Sequence, residues 1–238
     1  MILITGGLGY IGSHTAVELI NLGHDIIILD NLSNSSLKIL DQIYKISNVK
    51  PHFIEGDVRD KNLLRDIFIK NNIDEVIHFA GLKSINDSVN NPNLYYENNI
   101  VGSLSLFSEM NNAGVYKLVF SSSATVYGQP KCLPISEDHD IGNTTNPYGF
   151  SKYVIENMTN DLFKSNKNWR IVNLRYFNPV GAHQSGLIGE NPSGTPNNLF
   201  PYICKVATKE LEVLKVYGND YNTKDGTGIR DYIHVSDL

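Results

Sequence analysis

Short continuous apolar runs and longer stretches with apolar residues three or four apart take turns from Ile2 to Tyr176. Ile2-Leu-Ile-Thr5, Asp25-Ile-Ile-Ile-Leu29, His52-Phe-Ile-Glu55, Val76-Ile-His-Phe-Ala80, Tyr116-Lys-Leu-Val-Phe120 and Arg170-Ile-Val-Asn-Leu-Arg-Tyr176 predict six strands. Runs that stay apolar on successive residues suit parallel strands covered on both faces. Between them the helical spacing predicts helices over 13–20, closed by Gly23, over 38–46, from an Asp60 cap to Ile69, over 94–111 and over 147–164. In the fourth of these, Tyr95, Asn98, Val101, Leu104 and Met110 are the expected inward residues, Asn98 being a buried amide that needs partners. The expected fold is α/β, a doubly wound parallel sheet over residues 1–180.

The alternation fails from Gly181. Gly, Pro and Asn punctuate 181–198, and a helix over 199–209 and a strand Val213-Leu-Lys-Val-Tyr217 are expected to follow. Residues 181–238 read as the beginning of a smaller substrate-binding lobe laid over the sheet edge, where clefts form.

Composition narrows the chemistry. With 41% hydrophobic residues, 19% charged and a net charge of −5, the chain is a globular domain whose surface suits neither nucleic acid nor an anionic membrane. No segment reaches the ~18 apolar residues of a membrane span, and Met1 runs straight into a glycine turn, so a soluble, cytoplasmic protein without a leader is expected. Cys132 and Cys204 stand far apart, and the seven histidines form no ligand spacing, so neither a disulfide nor a metal site is predicted. The expected partner is a small molecule.

Gly6-Gly-Leu-Gly9-Tyr-Ile-Gly12 joins the first strand to the first helix. Its glycines permit a tight turn and let the backbone at Gly9, Tyr10 and Ile11 approach a pyrophosphate at a helix N-terminus. Asp30, at the end of the second strand, stands where an acid binds the ribose hydroxyls of NAD and repels the 2′-phosphate of NADP. Asp57 follows the third strand at the same edge, within reach of an adenine amino group or of its own turn. Gly81 lets the chain pass close to a cofactor, and His78 reads as a satisfied core histidine. Ser121-Ser-Ser123 brings hydroxyls to the edge after the fifth strand.

Pro147 suits a first helical turn, which puts Tyr148 and Lys152 one turn apart on one face. Making a phenol of pKa ~10 into a base near pH 7 takes a shift of roughly 3 units, about 4 kcal/mol, part of which an adjacent ammonium supplies.

These blocks, with Ser121-Ser-Ser-Ala-Thr-Val-Tyr-Gly128, Tyr148-Gly-Phe-Ser-Lys152, Arg175-Tyr-Phe-Asn-Pro-Val-Gly-Ala182, Pro196-Asn-Asn-Leu-Phe-Pro201 and Gly226-Thr-Gly-Ile-Arg-Asp-Tyr-Ile-His234, closely resemble the UDP-glucose 4-epimerases, extended short-chain dehydrogenases/reductases. The resemblance covers the whole chain. It implies a bound NAD, a UDP-hexose substrate and inversion at C4 through a 4-ketosugar, and it allows a homodimer. Tyr148 is then the base, Lys152 lowers its pKa and binds the nicotinamide ribose, and Ser123 bridges Tyr148 to the sugar 4-OH. Gly6, Gly9, Tyr10, Ile11, Gly12, Asp30, Asn31, Asn34, Ser35, Asp57, Val58, Phe79, Ala80, Gly81, Lys83, Asn98 and Phe177 match the family's NAD positions, together with Ser123, Tyr148 and Lys152. Asn178, Asn198, Lys215, Val216, Tyr217 and Arg230 match its UDP-sugar positions, Arg230 offering a diphosphate a fork of donors. Alternatives are a sugar-nucleotide 4,6-dehydratase, although Ala124-Thr125 lacks the acid pair that enzyme needs after the Ser123 position, a UDP-glucuronate decarboxylase, and a non-catalytic NAD-binding module. In the family a further segment follows the Arg230 block, so NAD binding is expected to survive in this chain better than catalysis.

Overall fold

Ile2 and Ile4 pack to one side of their strand and Leu3 to the other, and Ile26 and Ile28 divide from Ile27 and Leu29 in the same way. Each strand therefore feeds two apolar layers, which is why these runs are continuous rather than alternating. Each fully buried Leu or Ile contributes about 1.5–3 kcal/mol to holding the layers together.

The computed structural model describes residues 1–192, 196 and 198–238. Six parallel strands, β1 (Ile2–Thr5), β2 (Ile26–Asp30), β3 (His52–Glu55), β4 (Glu75–His78), β5 (Lys117–Ser121) and β6 (Arg170–Leu174), lie in the order β3-β2-β1-β4-β5-β6. Helices α1 (Tyr10–Asn21) and α2 (Lys38–Ser47) cover one face, with Val17, Ile20 and Ile43 packed on Ile2, Ile4 and Ile28. The other face meets α3 (Lys61–Lys70) and, further along the chain, α6 (Gly102–Asn112) and α7 (Pro147–Ser165), through residues such as Leu64, Phe107 and Ile155. Asp60 caps α3 by accepting from the N–H groups of Asn62 and Leu63, both at 3.0 Å. The strand order reverses between β1 and β4, where Thr5 stands beside His78. That crevice at the carboxyl ends is where such sheets bind ligands.

The helix expected over 94–111 is built differently. After α4 (Ile85–Asn90) come α5 (Pro92–Tyr95), a π-helical turn (Tyr96–Val101) and α6. A π turn holds more residues per circuit than an α turn, so the inward positions fall four apart, at Tyr95, Asn99, Ser103 and Phe107. Val101 and Leu104, expected inside, are 46% and 49% exposed, whereas Tyr95 and Met110 are buried as expected. The buried amide is Asn99, not Asn98, which is half-buried. Asn99 Oδ1 accepts from Leu82 N at 2.8 Å, and its Nδ2 donates to Leu82 O at 3.0 Å and Ser151 Oγ at 3.1 Å, tying the loop after β4 to α7.

Beyond β6, β7 (Asn178–Val180) pairs in parallel with β8 (Tyr232–His234), and α8 (Leu199–Ala207) lies between them in sequence. The strand expected over Val213–Tyr217 is absent: the segment is irregular and exposed, and no strand among the described residues pairs with it to take its backbone N–H and C=O groups.

Candidate active site

The glycine turn is shaped by contacts that leave no room for side chains. Gly6 has φ +68°, and a Cβ there would lie 2.7 Å from Ala80 N; one on Gly12 would lie 2.3 Å from Gly6 O. Gly9 caps α1 without a side chain, and the first turn of α1 carries no acidic residue, so its N–H groups and the helix dipole remain open to an anion. Asp30 closes the other side. Its Oδ2 accepts from Leu8 N at 3.0 Å and its Oδ1 from Leu32 N at 3.0 Å and Ser35 Oγ at 2.7 Å. A carboxylate offers about four acceptor positions, so one remains for a hydroxyl. These residues fit an adenine dinucleotide: a cradle for a diphosphate, then an acid for a ribose.

Asp57 is committed to its surroundings. It accepts from Asn31 Nδ2 at 2.9 Å and is gripped by Arg59 Nε and Nη2 at 2.9 and 2.8 Å, which holds its carboxyl down at about 2. Val58 packs under Gly102, where a Cβ would lie 2.9 Å from its methyl group. Phe79 and Ala80 follow β4 in half-buried positions, and Gly81 passes close enough to Asn99 that a Cβ would lie 3.2 Å from Oδ1. Ile11 is half-buried at the start of α1, and Asn34 and Phe177 are exposed.

Across the sheet edge stand the three residues expected to do chemistry. Asn146 caps α7, its Oδ1 accepting from Gly149 N at 2.8 Å, and Pro147 opens the first turn, so Tyr148 sits in a rigid helical start. Lys152 is buried one turn on; its Nζ donates to Ser121 O at 2.7 Å and lies 5.9 Å from the centre of the Tyr148 ring. Ser123 Oγ accepts from Thr125 N and Oγ1 at 3.2 and 3.0 Å, and the Ser123 side chain lies close enough to the Tyr148 phenol to favour its ionised form.

The charge balance differs from the sequence reading. Tyr148 is raised above its ordinary value, because burial disfavours phenolate more than the Ser123 bond favours it. Burial also lowers Lys152, to about 8, against the attraction of Glu156. Desolvation penalises both charged forms, so Lys152 alone does not make Tyr148 a base; further positive charge against the ring acts in the required direction.

Two links run to the chain beyond β6, one of them through Glu190, which sequence reasoning missed. Tyr10 Oη donates to Gly181 O at 2.7 Å. Glu190 accepts from Lys83 Nζ at 2.9 Å and Asn198 Nδ2 at 2.6 Å, joining a residue matched to NAD with one matched to the sugar nucleotide. Asn178 Nδ2 donates to the carbonyl of Asp231 at 2.7 Å, which brings it beside Arg230; that arginine donates to Ile229 O at 2.7 Å and forms no ion pair with a described residue. Lys215, Val216 and Tyr217 are exposed and form no hydrogen bond or ion pair with Ser123, Tyr148 or Lys152. Asn197, in the Pro196–Pro201 block, lies outside the described residues.

Fold and site together define a dinucleotide-binding α/β domain of the short-chain dehydrogenase/reductase type, with a tyrosine and a lysine one helical turn apart. The chain belongs to the NAD dependent epimerase/dehydratase family, whose model matches residues 2–238, and within it groups with the UDP-glucose 4-epimerases. The UDP-glucose 4-epimerase of Haemophilus influenzae is 57% identical over 237 residues, covering 100% of this chain and 70% of that protein. A UDP-glucose 4-epimerase from Bifidobacterium longum, solved in complex with NAD⁺ and UDP, superposes with a TM-score of 0.97 at 53% identity, over 99% of this chain and 70% of that one. Another, from Stenotrophomonas maltophila with bound NAD and formylated UDP-arabinopyranose, gives 0.95 at 48% identity, over 99% and 70%.

Proposed function

We propose that this chain interconverts UDP-galactose and UDP-glucose by inverting C4 of the hexose, with NAD held throughout. The observation that carries the reading is the Ser123, Tyr148 and Lys152 group at the same sheet edge as the glycine cradle. Bound NAD would supply a reversible acceptor for the C4 hydride, with no net redox change, and a positive ring charge in the site. Tyr148 takes the 4-OH proton, directly or through Ser123, and returns it when the hydride comes back. Lys152 keeps a cation beside the phenol and faces the ribose. Arg230 and Asn178 hold the diphosphate end, leaving the hexose free to turn. Both lie beyond β6, in the part of the chain that this reading gives to substrate holding.

Supplied with UDP-galactose, the chain is expected to form UDP-glucose and to purify with NAD at close to one per protomer. Chromatography of the nucleotide sugars and enzymatic NAD assay read both. A 4-keto-6-deoxy sugar or UDP-xylose as product, or failure to bind NAD, counts against the reading.

We further propose a homodimer built on the apolar face that the π turn leaves outward. Val101, Leu104 and Leu94 around the π turn, and Phe150 on α7 packed against it, are all at least 40% exposed, and large apolar side chains left in water beside one another mark a contact surface. Analytical ultracentrifugation is expected to give twice the chain mass, and Leu104→Glu half of it; a monomeric wild type rejects the dimer.

A further inference from the structure

One turn beyond Lys152, on the same face of α7, lies an ionic group that the chemistry above does not use. Glu156 is 1% exposed. It accepts from Ser122 Oγ and from Arg175, whose Nε is 3.1 and 3.2 Å from the two carboxylate oxygens and whose Nη2 is 2.8 Å from Oε2. Arg175 also donates to Tyr127 Oη at 3.0 Å and Glu137 O at 3.1 Å. One carboxylate thus joins α7 to the end of β5, the residue after β6 and the turn that follows Ser123.

Stability is a poor reason for such a group. Desolvating a buried ion pair costs as much as the attraction returns, and apolar residues of similar volume often do as well. The positions of its partners suggest a better one. Ser122 lies between Ser121, whose carbonyl holds Lys152 Nζ, and Ser123, whose hydroxyl meets the phenol. Fixing Ser122 to α7 fixes both neighbours against the helix that carries Tyr148.

We propose that Glu156 is a positioning residue for Tyr148: through Ser122 it sets the Ser121–Ser123 segment against α7, and its carboxylate stands one helical turn along α7 from the Lys152 ammonium that this segment holds. This rests on the reading of Tyr148 as the base. Around Lys152 the titratable groups are Tyr148 and Glu156 on α7 and His78 on β4, while Tyr176 faces Tyr148 and Arg175 stands behind Glu156. Burial keeps His78 neutral, so Glu156 is the anion among the described residues that supports the Lys152 cation.

Glu156→Gln removes the charge and keeps the shape. With NAD bound, NMR of isotope-labelled tyrosine, Tyr148 being assigned by its loss in Tyr148→Phe, is expected to show the phenol midpoint raised by about one pH unit, or about tenfold less phenolate near neutral pH. Where turnover of UDP-galactose is followed, kcat falls by about the same factor with KM within about twofold. Glu156→Asp, which keeps the charge, recovers most of the midpoint. A folded Glu156→Gln protein with unmoved midpoint and unchanged kcat overturns the proposal. If Glu156→Gln does not fold, Ser122→Ala decides: a raised midpoint at unchanged melting temperature supports the role, and an unmoved one overturns it. Tyr148→Phe with full turnover would instead remove the base reading itself, whereas its inactivity beside a normal Glu156→Gln removes only the positioning role.

Discussion

Tyr148→Phe is expected to lower turnover of UDP-galactose about a thousandfold, the usual scale for removing a general base, while NAD stays bound and the fold stays intact. The ring remains to fill its place between α7 and the sheet edge, and only the hydroxyl shared with Ser123 is lost. Steady-state kinetics and NAD content on one preparation check this; an active Tyr148→Phe protein would leave the site without a base. The pH dependence follows from the neighbours. The phenol is raised by burial, so the fraction ionised, and with it kcat, climbs as pH rises. Lys152 loses its proton near pH 8, and above that the cation beside the phenol is lost. The kcat profile is therefore expected to rise with pH and to level off from about pH 8, where loss of the Lys152 proton offsets the gain in phenolate, its midpoints belonging to the pair rather than to either residue.

Acid is expected to unfold the protein through His78. Its imidazole is fully enclosed, with Nδ1 2.7 Å from Thr5 Oγ1 and Nε2 2.9 Å from Ser103 Oγ, between the rings of Phe107 and Phe120. Burial, with the Lys152 charge behind it, lowers it to about 3 from the 6.5 of a free histidine. Its folded pKa lies below its unfolded one, so the unfolded chain binds the extra proton between those values. The stabilisation is complete above pH ~6.5 and is lost as pH falls toward 3, at about 1.4 kcal/mol per unit and about 4–5 kcal/mol in all. That is a large part of the stability of a typical domain. Urea unfolding at pH 7, 6 and 5 is expected to show the slope, and His78→Phe to flatten it, since the phenyl ring fits among Phe107 and Phe120 and carries no proton. Equal slopes for the two proteins would place the acid sensitivity elsewhere, for instance at His14, also lowered by burial.

Much of the site was legible because its parts are local. The glycine turn, the Asp60 cap, the Pro147 start and the Tyr148 to Lys152 interval are decided by steric rules or helical period over a few residues, and the structure carries each where that period puts it. Glu156 had a signal of the same kind, being four residues past Lys152 and eight past Tyr148, but a lone acid on a helix reads as surface until its burial is known. Glu190 had none: its partners Lys83 and Asn198 lie on either side of it in the chain, and only the fold brings all three together.

Hydrophobic period and the glycine pattern were enough for the alternation of strand and helix, the parallel sheet with both faces covered, the cradle and acid that suit NAD, and the one-turn spacing of Tyr148 and Lys152. Those depend on hydrophobic period and on backbone freedom, which are properties of short segments. Which amide of the Asn98-Asn99 pair is buried, that Val213–Tyr217 makes no strand, and that burial raises the Tyr148 phenol came only with the packed structure. The physical reason is shared: a π turn, a missing pairing partner and a desolvation penalty are set by what packs against a residue, and neighbours in space are not written in the neighbours in sequence.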